Sequence, residues 1–154
     1  MVLELAVLST FGALLRFAMY LERQAGEFYG SLASKVYHSS TTELFSRYAK
    51  EYARRLKLLE DIRQRNINEV LLEPNSNMDS KPYSFTSNVD DRMTVEAAFG
   101  AALEVETKVG AFYSDSLKAA GLVLGEASRV FRRLSEENSE RSRALSSLQG
   151  ASTT

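Results

Sequence analysis

The chain has no cysteine, which excludes disulfides and thiolate metal sites and agrees with a reducing compartment. Histidine occurs once, as His38, so imidazole ligation is scarce and neither a Ser-His-Asp nor a Cys-His constellation can be assembled. Neither sign of charge predominates: 19 Lys and Arg stand against 20 Asp and Glu, a net charge of -1. No overall field therefore draws the chain to nucleic acid or to an acidic membrane. The opening MVLELAVLSTFGALLRFAMY is apolar, yet it lacks a basic leading segment and carries Glu4 and Arg16. It is expected to be helix of a soluble protein, neither a signal peptide nor a membrane span, with the cytoplasm as the default location.

A length of 154 residues suits one domain with one core. From Phe11 to Ala33 the apolar positions Leu14, Leu15, Ala18, Leu21, Ala25, Phe28, Tyr29 and Leu32 recur at spacings of three and four, which is helical periodicity. Leu44, Phe45, Tyr48, Tyr52, Leu58, Leu59 and Ile62 form a second stripe, preceded by Ser40 and Glu43 at capping-box spacing. Val95, Ala98, Phe99, Ala102, Val105, Val109, Phe112 and Tyr113 form a third, with Gly121 as its stop, and Val130, Phe131, Leu134, Leu145 and Leu148 a fourth. The helices are expected at about 7–36, 41–64, 92–120 and 125–148, making one domain over 1–149 with a disordered tail at 150–154. Both prolines fall between Arg65 and Asp91, among Asn, Asp and Ser. This stretch is expected to be a long surface crossover between two antiparallel helical hairpins.

The two halves repeat. An offset of 84 residues superposes Thr10 on Thr94, Ala18 on Ala102, Glu22 on Glu106, Gly26 on Gly110 and one Phe-Tyr pair on the other. An offset of 86 superposes Phe45 on Phe131, Arg47 on Arg133, Glu51 on Glu137, Arg55 on Arg141 and Leu59 on Leu145. Each half is thus a version of the same hairpin, and their assembly is an all-α four-helix bundle with approximate twofold symmetry.

The segment holding Ala18, Glu22, Ala25, Phe28 and Tyr29, echoed by Ala102, Glu106, Phe112 and Tyr113, resembles the first helix of the rubrerythrin-like branch of the ferritin-like superfamily. Phe45-Tyr48-Ala49 and Phe131-Leu134-Ser135 resemble the openings of its second and fourth helices. The resemblance implies a ferritin-like bundle in which each hairpin gives a lone Glu and a Glu-x-x-His pair to a di-iron centre. Glu22 and Glu106 match the lone carboxylates. Aligned on Phe45 and Phe131, the Glu-x-x-His positions hold Tyr52 and Arg55 in one hairpin and Asn138 and Arg141 in the other. These six residues are expected to mark a degenerate metal site, and the four-cysteine iron site of some relatives has no counterpart.

Glu22, Glu106, Arg55 and Arg141 all lie on apolar stripes. Each carboxylate would be costly to bury alone, so Glu22 is expected to pair with Arg55 and Glu106 with Arg141, two charges of each sign cancelling. Tyr52 either bonds to one of these carboxylates or packs. Phe28, Tyr29, Phe112 and Tyr113 are expected as core aromatics, Glu27, Glu51, Glu104, Glu136 and Glu137 on solvated faces, Arg132 and Arg133 exposed, and His38 in an exposed turn. The leading expectation is a structural, binding or regulatory module without a metal cofactor, forming a homodimer to which MVLELAVL contributes, with room for a small ligand in the bundle core. The alternative is an iron or manganese oxidoreductase in which Glu22, Glu106, Glu51 and Glu137 supply oxygen ligands.

Overall fold

A computed structural model of the protein describes residues 7–36, 39–65, 74–120 and 125–152. Four helices account for most of them: α1 Phe11–Lys35, α2 Ser39–Arg65, α3 Val95–Ala120 and α4 Gly125–Ser152. They form two antiparallel hairpins, α1 with α2 and α3 with α4, joined by the long crossover. Among the described residues no helix is long and apolar enough to cross a membrane.

The repeat extends to the way the first helix of each hairpin begins. The Thr10 hydroxyl caps α1 by accepting from the amide of Ala13 at 3.1 Å, and Thr94 does the same for Ala97 at 3.0 Å. Each hydroxyl satisfies one of the amides that a helix start leaves unpaired. At the other end of α1, the Val36 amide donates to the Leu32 carbonyl, and the Thr42 hydroxyl turns back to the Val36 carbonyl at 3.0 Å. Helix α2 begins at Ser39, two residues ahead of its expected start. His38 lies outside the described residues.

The expected stripes are the core. Leu14, Leu15, Ala18, Leu21, Ala25 and Leu32 from α1, Phe45, Tyr52, Leu59 and Ile62 from α2, Ala98, Ala102, Val109 and Phe112 from α3, and Phe131, Leu134 and Leu145 from α4 are buried. Leu148 is an exception, with 41% of its surface exposed. Helix α4 also continues to Ser152, so the tail expected from 150 is helical for three further residues. Gln149 lies against the start of α3, its side-chain amide 3.5 Å from the Glu96 carbonyl, and Gly150 permits the helix without demanding a turn.

Two expectations about the crossover and the N-terminal segment are corrected. Val7–Thr10 is a strand, β1, where helix was expected from residue 7. Its partner is β2, Pro74–Asp79, within the crossover itself. The two pair antiparallel with Leu8 opposite Met78, and both side chains are buried. A helical Val7–Thr10 would forgo this cross-strand pairing and the Thr10 cap. Leu8 thus packs within the chain; residues 1–6 lie outside the described residues.

Nor is the crossover only a surface loop. Ser80 and Val89 are buried with Met78, and the Tyr83 hydroxyl donates to Asp115 at 2.5 Å. Lys108 of α3 donates to the Ser84 carbonyl at 2.8 Å, and Lys35 of α1 to that of Val89 at 3.0 Å. The segment straps the two hairpins from outside, using its own backbone carbonyls as acceptors.

Gly26 and Gly110, equivalent in the repeat, each face the second helix of their own hairpin. A Cβ on Gly110 would lie 3.1 Å from Cβ of Asn138, whereas one on Gly26 would lie 3.8 Å from Cβ of Tyr52 and one on Gly30 would meet nothing within 4 Å. Gly110→Ala should therefore push α3 from α4 and lower stability by about 1–3 kcal/mol despite the better helix former. Gly30→Ala should instead raise it by about 0.5–1 kcal/mol. Urea denaturation of the two variants checks both signs.

Candidate functional site

At the middle of the bundle the four helices meet in a polar layer rather than an apolar one. Glu22, Tyr52, Arg55, Glu106, Asn138 and Arg141 are all buried there, one set from each hairpin. All six are brought together. The helical stripes that aim leucines inward above and below aim these side chains inward too, because they occupy the same faces.

The first half-site is a fork on a carboxylate. Arg55 donates from Nε to Glu22 Oε1 at 2.8 Å and from Nη2 to Oε2 at 2.9 Å. The Tyr113 hydroxyl reaches across from the other hairpin to Glu22 Oε2 at 2.7 Å. Arg55 Nη2 also donates to Asn138 Oδ1 at 3.0 Å. Such bidentate, charge-assisted geometry offsets desolvation better than a single contact does.

The second half-site is related by the repeat. Arg141 donates from Nε to Glu106 Oε1 at 3.0 Å, and the Tyr29 hydroxyl crosses from the first hairpin to Oε2 at 2.7 Å, the mirror of Tyr113 on Glu22. The symmetry breaks at the equivalent pair Tyr52 and Asn138, and at the arginines, since Arg141 makes one bond to its carboxylate where Arg55 makes two. The Tyr52 hydroxyl donates to Glu106 Oε2 at 2.8 Å and accepts from Asn138 Nδ2 at 2.9 Å, while the same amide nitrogen donates to Glu106 Oε1 at 2.7 Å. Asn138 thereby joins the two halves into one network.

Two guanidiniums in one core repel, and both lie over the Tyr52 ring. Its centroid is 4.6 Å from the Arg55 guanidinium carbon and 4.8 Å from that of Arg141, so its π-face attracts both cations. Burial alone would lower the pKa of Arg55, but Glu22, with the phenols of Tyr52 and Tyr113, pushes it well above the usual arginine value. Arg141 is likewise raised: burial and Arg55 oppose its charge, and Tyr52 and Glu106 outweigh them. The phenols of Tyr29, Tyr52 and Tyr113 are pushed well above the ordinary tyrosine value, first by burial and then by the adjoining carboxylate. They stay neutral donors.

Sequence reasoning missed two sets of participants. Tyr29 and Tyr113 were expected to pack, yet each holds a carboxylate of the opposite hairpin. The signal was the repetition of Tyr rather than Phe at an inward position, since a hydroxyl facing a core needs an acceptor. Glu51 and Glu137 were expected on solvated faces with Glu27, Glu104 and Glu136. The last three are exposed, but Glu51 accepts from Arg141 Nη1 at 2.8 Å. Glu137 accepts from Arg54 at 3.2 Å and stands 3.7 Å from Arg55 and 3.9 Å from Arg141. Arg132 and Arg133 are exposed as expected.

These residues do not fit a di-iron pair. Guanidinium nitrogens already lie 2.8–3.0 Å from the inward carboxylates, and the positions a Glu-x-x-His pair would need hold Tyr, Asn and Arg. Among the described residues no group of three or more His, Cys, Asp or Glu is placed to hold a metal. Comparison with protein-family models, with curated proteins and with solved structures finds no match. The class that sequence and structure together define is a four-helix bundle of two helical hairpins with an ion-paired core.

Losing Arg55 leaves Glu22 with Tyr113 alone, whereas losing Arg141 leaves Glu106 with Tyr29, Tyr52 and Asn138. Arg55→Met should therefore cost roughly 3–5 kcal/mol, Arg141→Met distinctly less, and adding Glu22→Gln to Arg55→Met should recover part of the loss. Equal costs for the two arginines in urea denaturation would contradict this assignment of partners.

The phenols set the alkaline limit. The unfolded chain releases phenolic protons near the ordinary value of 10.0 while the folded chain keeps those of Tyr29, Tyr52 and Tyr113. The folded state then binds more protons, so this contribution to stability is intact below about pH 10 and is lost as pH rises above it. In an absorbance titration these three tyrosines should ionise together with the loss of helical circular dichroism, not before it.

Proposed function

We propose that this chain is a ferritin-like, rubrerythrin-like bundle that has exchanged its di-iron centre for fixed internal ion pairs, and that it acts as a non-catalytic structural, binding or regulatory module. The observation that carries the reading is the seating of Arg55 on Glu22 and of Arg141 on Glu106 at the centre of the bundle. Two guanidiniums and two carboxylates sum to zero, as ferrous ions and four carboxylates with neutral imidazoles do in the family that the sequence resembles. The neutrality of the core is kept while its metal affinity is given up. Residence in the cytoplasm and assembly as a homodimer belong to the same proposal, the first supported by the absence of cysteine and the second by the resemblance.

A second reading, an iron or manganese oxidoreductase using Glu22, Glu51, Glu106 and Glu137, draws on the closeness of Glu137 to both core arginines. It requires both guanidiniums to leave the layer. A metal there would face two buried cations in place of ligands, at a cost of several kcal/mol for each charge left without a partner.

Metal analysis of protein purified without chelator, followed by anaerobic titration with ferrous iron and exposure to oxygen, separates the readings. The ion-paired module should hold almost no metal and develop no oxo-bridge absorbance. About two irons per chain with turnover of oxygen or peroxide would establish the oxidoreductase.

A further inference from the structure

The polar layer is not closed on every side. Between α2 and α4 a cleft of ≈ 370 Å³ reaches in to Arg141, bordered by Tyr48, Glu51, Glu137, Glu140 and Ala144. We propose that this cleft binds a small amine-carboxylate zwitterion of the amino-acid type, its carboxylate received by Arg141 and its ammonium by Glu140. The proposal rests on the reading of the core as ion-paired, because it needs Arg141 held in place as a cation.

The first support is the half-used fork of Arg141. Its Nε is turned inward to Glu106 at 3.0 Å, which leaves the edge formed by Nη1 and Nη2 for a second carboxylate. Nη1 is taken by Glu51 at 2.8 Å, and Nη2, although buried, has no hydrogen-bond partner among the described residues. A guanidinium edge is built to take a carboxylate with both nitrogens, and an unanswered buried N–H is costly. Glu51 is the part that can move. Its side chain is 32% exposed and its other oxygen already stands 3.8 Å from Arg47. A ligand carboxylate that displaces it toward Arg47 satisfies Nη1 and Nη2 together and keeps one anion facing Arg141.

The second support is charge. Three carboxylates, of Glu51, Glu137 and Glu140, border the cleft against two guanidiniums, of Arg54 and Arg141. A bare anion would add to that excess, and a bare amine would leave Nη2 unanswered. A zwitterion does neither. Glu137 is occupied by Arg54, but Glu140 is exposed and forms no ion pair among the described residues. The Tyr48 ring and the Ala144 methyl give an apolar wall for a short side chain. A few convergent polar groups beside such a wall are what a small-molecule site requires.

Calorimetry and thermal shift on the full chain should use glycine, L-alanine, L-leucine and L-phenylalanine, each beside its deaminated acid and its decarboxylated amine. At least one amino acid should bind about tenfold or more tightly than either matched control and should raise the melting temperature. Glu140→Gln, at an exposed and unpaired position, should leave the melting temperature of the free protein unchanged and weaken that binding about tenfold. Absence of binding by all four amino acids, equal binding by a deaminated acid, or unchanged affinity in Glu140→Gln would overturn the proposal. Iron uptake measured on the same samples keeps the two questions apart: amino-acid binding that fails while iron is still refused removes the cleft site alone, whereas iron uptake removes the ion-paired core beneath it.

Discussion

Four buried charges cannot remain in a helical core unless each has a partner, and this constraint organises the rest of the structure. The effective penalty for taking one such ion out of water is several kcal/mol, and attraction offsets it only where the geometry is close and the remaining lone pairs are satisfied. Here both ion pairs form within a hairpin, Glu22 with Arg55 and Glu106 with Arg141. Each hairpin is neutral at this layer by itself. The bonds to these two carboxylates that cross between hairpins come from neutral donors, Tyr29, Tyr52 and Tyr113. Docking the hairpins therefore completes the hydration lost by the carboxylates without bringing unbalanced charge together.

That division of labour fixes how the hairpins meet. A slip of one hairpin along the other would detach Tyr29 from Glu106 and Tyr113 from Glu22 together, leaving carboxylates under-satisfied in low dielectric. Apolar layers above and below tolerate substitution more readily than this one does. The close approach at Gly110, which brings Asn138 into contact with α3, and the strap formed by β1, β2 and the crossover hold the same arrangement from outside.

Most of the fold was legible in the sequence because helical stripes and an internal repeat are local or periodic signals. Glu22, Glu106, Arg55 and Arg141 were found by superposing the halves, and Tyr52 and Asn138 through the family resemblance; neither step needs knowledge of tertiary contacts. The strand β1 escaped because its partner β2 lies more than sixty residues away in a stretch with no periodicity of its own, and Val7–Thr10 read as the continuation of an apolar helix. Glu51 and Glu137 escaped for a different reason. They sit beside the inward stripe rather than on it, and only the reach of Arg141 and Arg54 from a neighbouring helix draws them to the edge of the network. Leu148 shows the converse, an apolar residue in phase with its stripe yet 41% exposed.

The central claim is that arginines stand where metals would otherwise be held, and the most direct measurement restores the ligands. The quadruple variant Tyr52→Glu, Arg55→His, Asn138→Glu and Arg141→His rebuilds a Glu-x-x-His pair in each hairpin beside Glu22 and Glu106. With helical content verified by circular dichroism in the presence and absence of iron, the account predicts about two ferrous ions bound per chain by the variant and almost none by the natural chain. A variant that is fully helical and still binds no iron would contradict the account, because the layer would then not have the geometry of a metal centre whose charge the arginines replace.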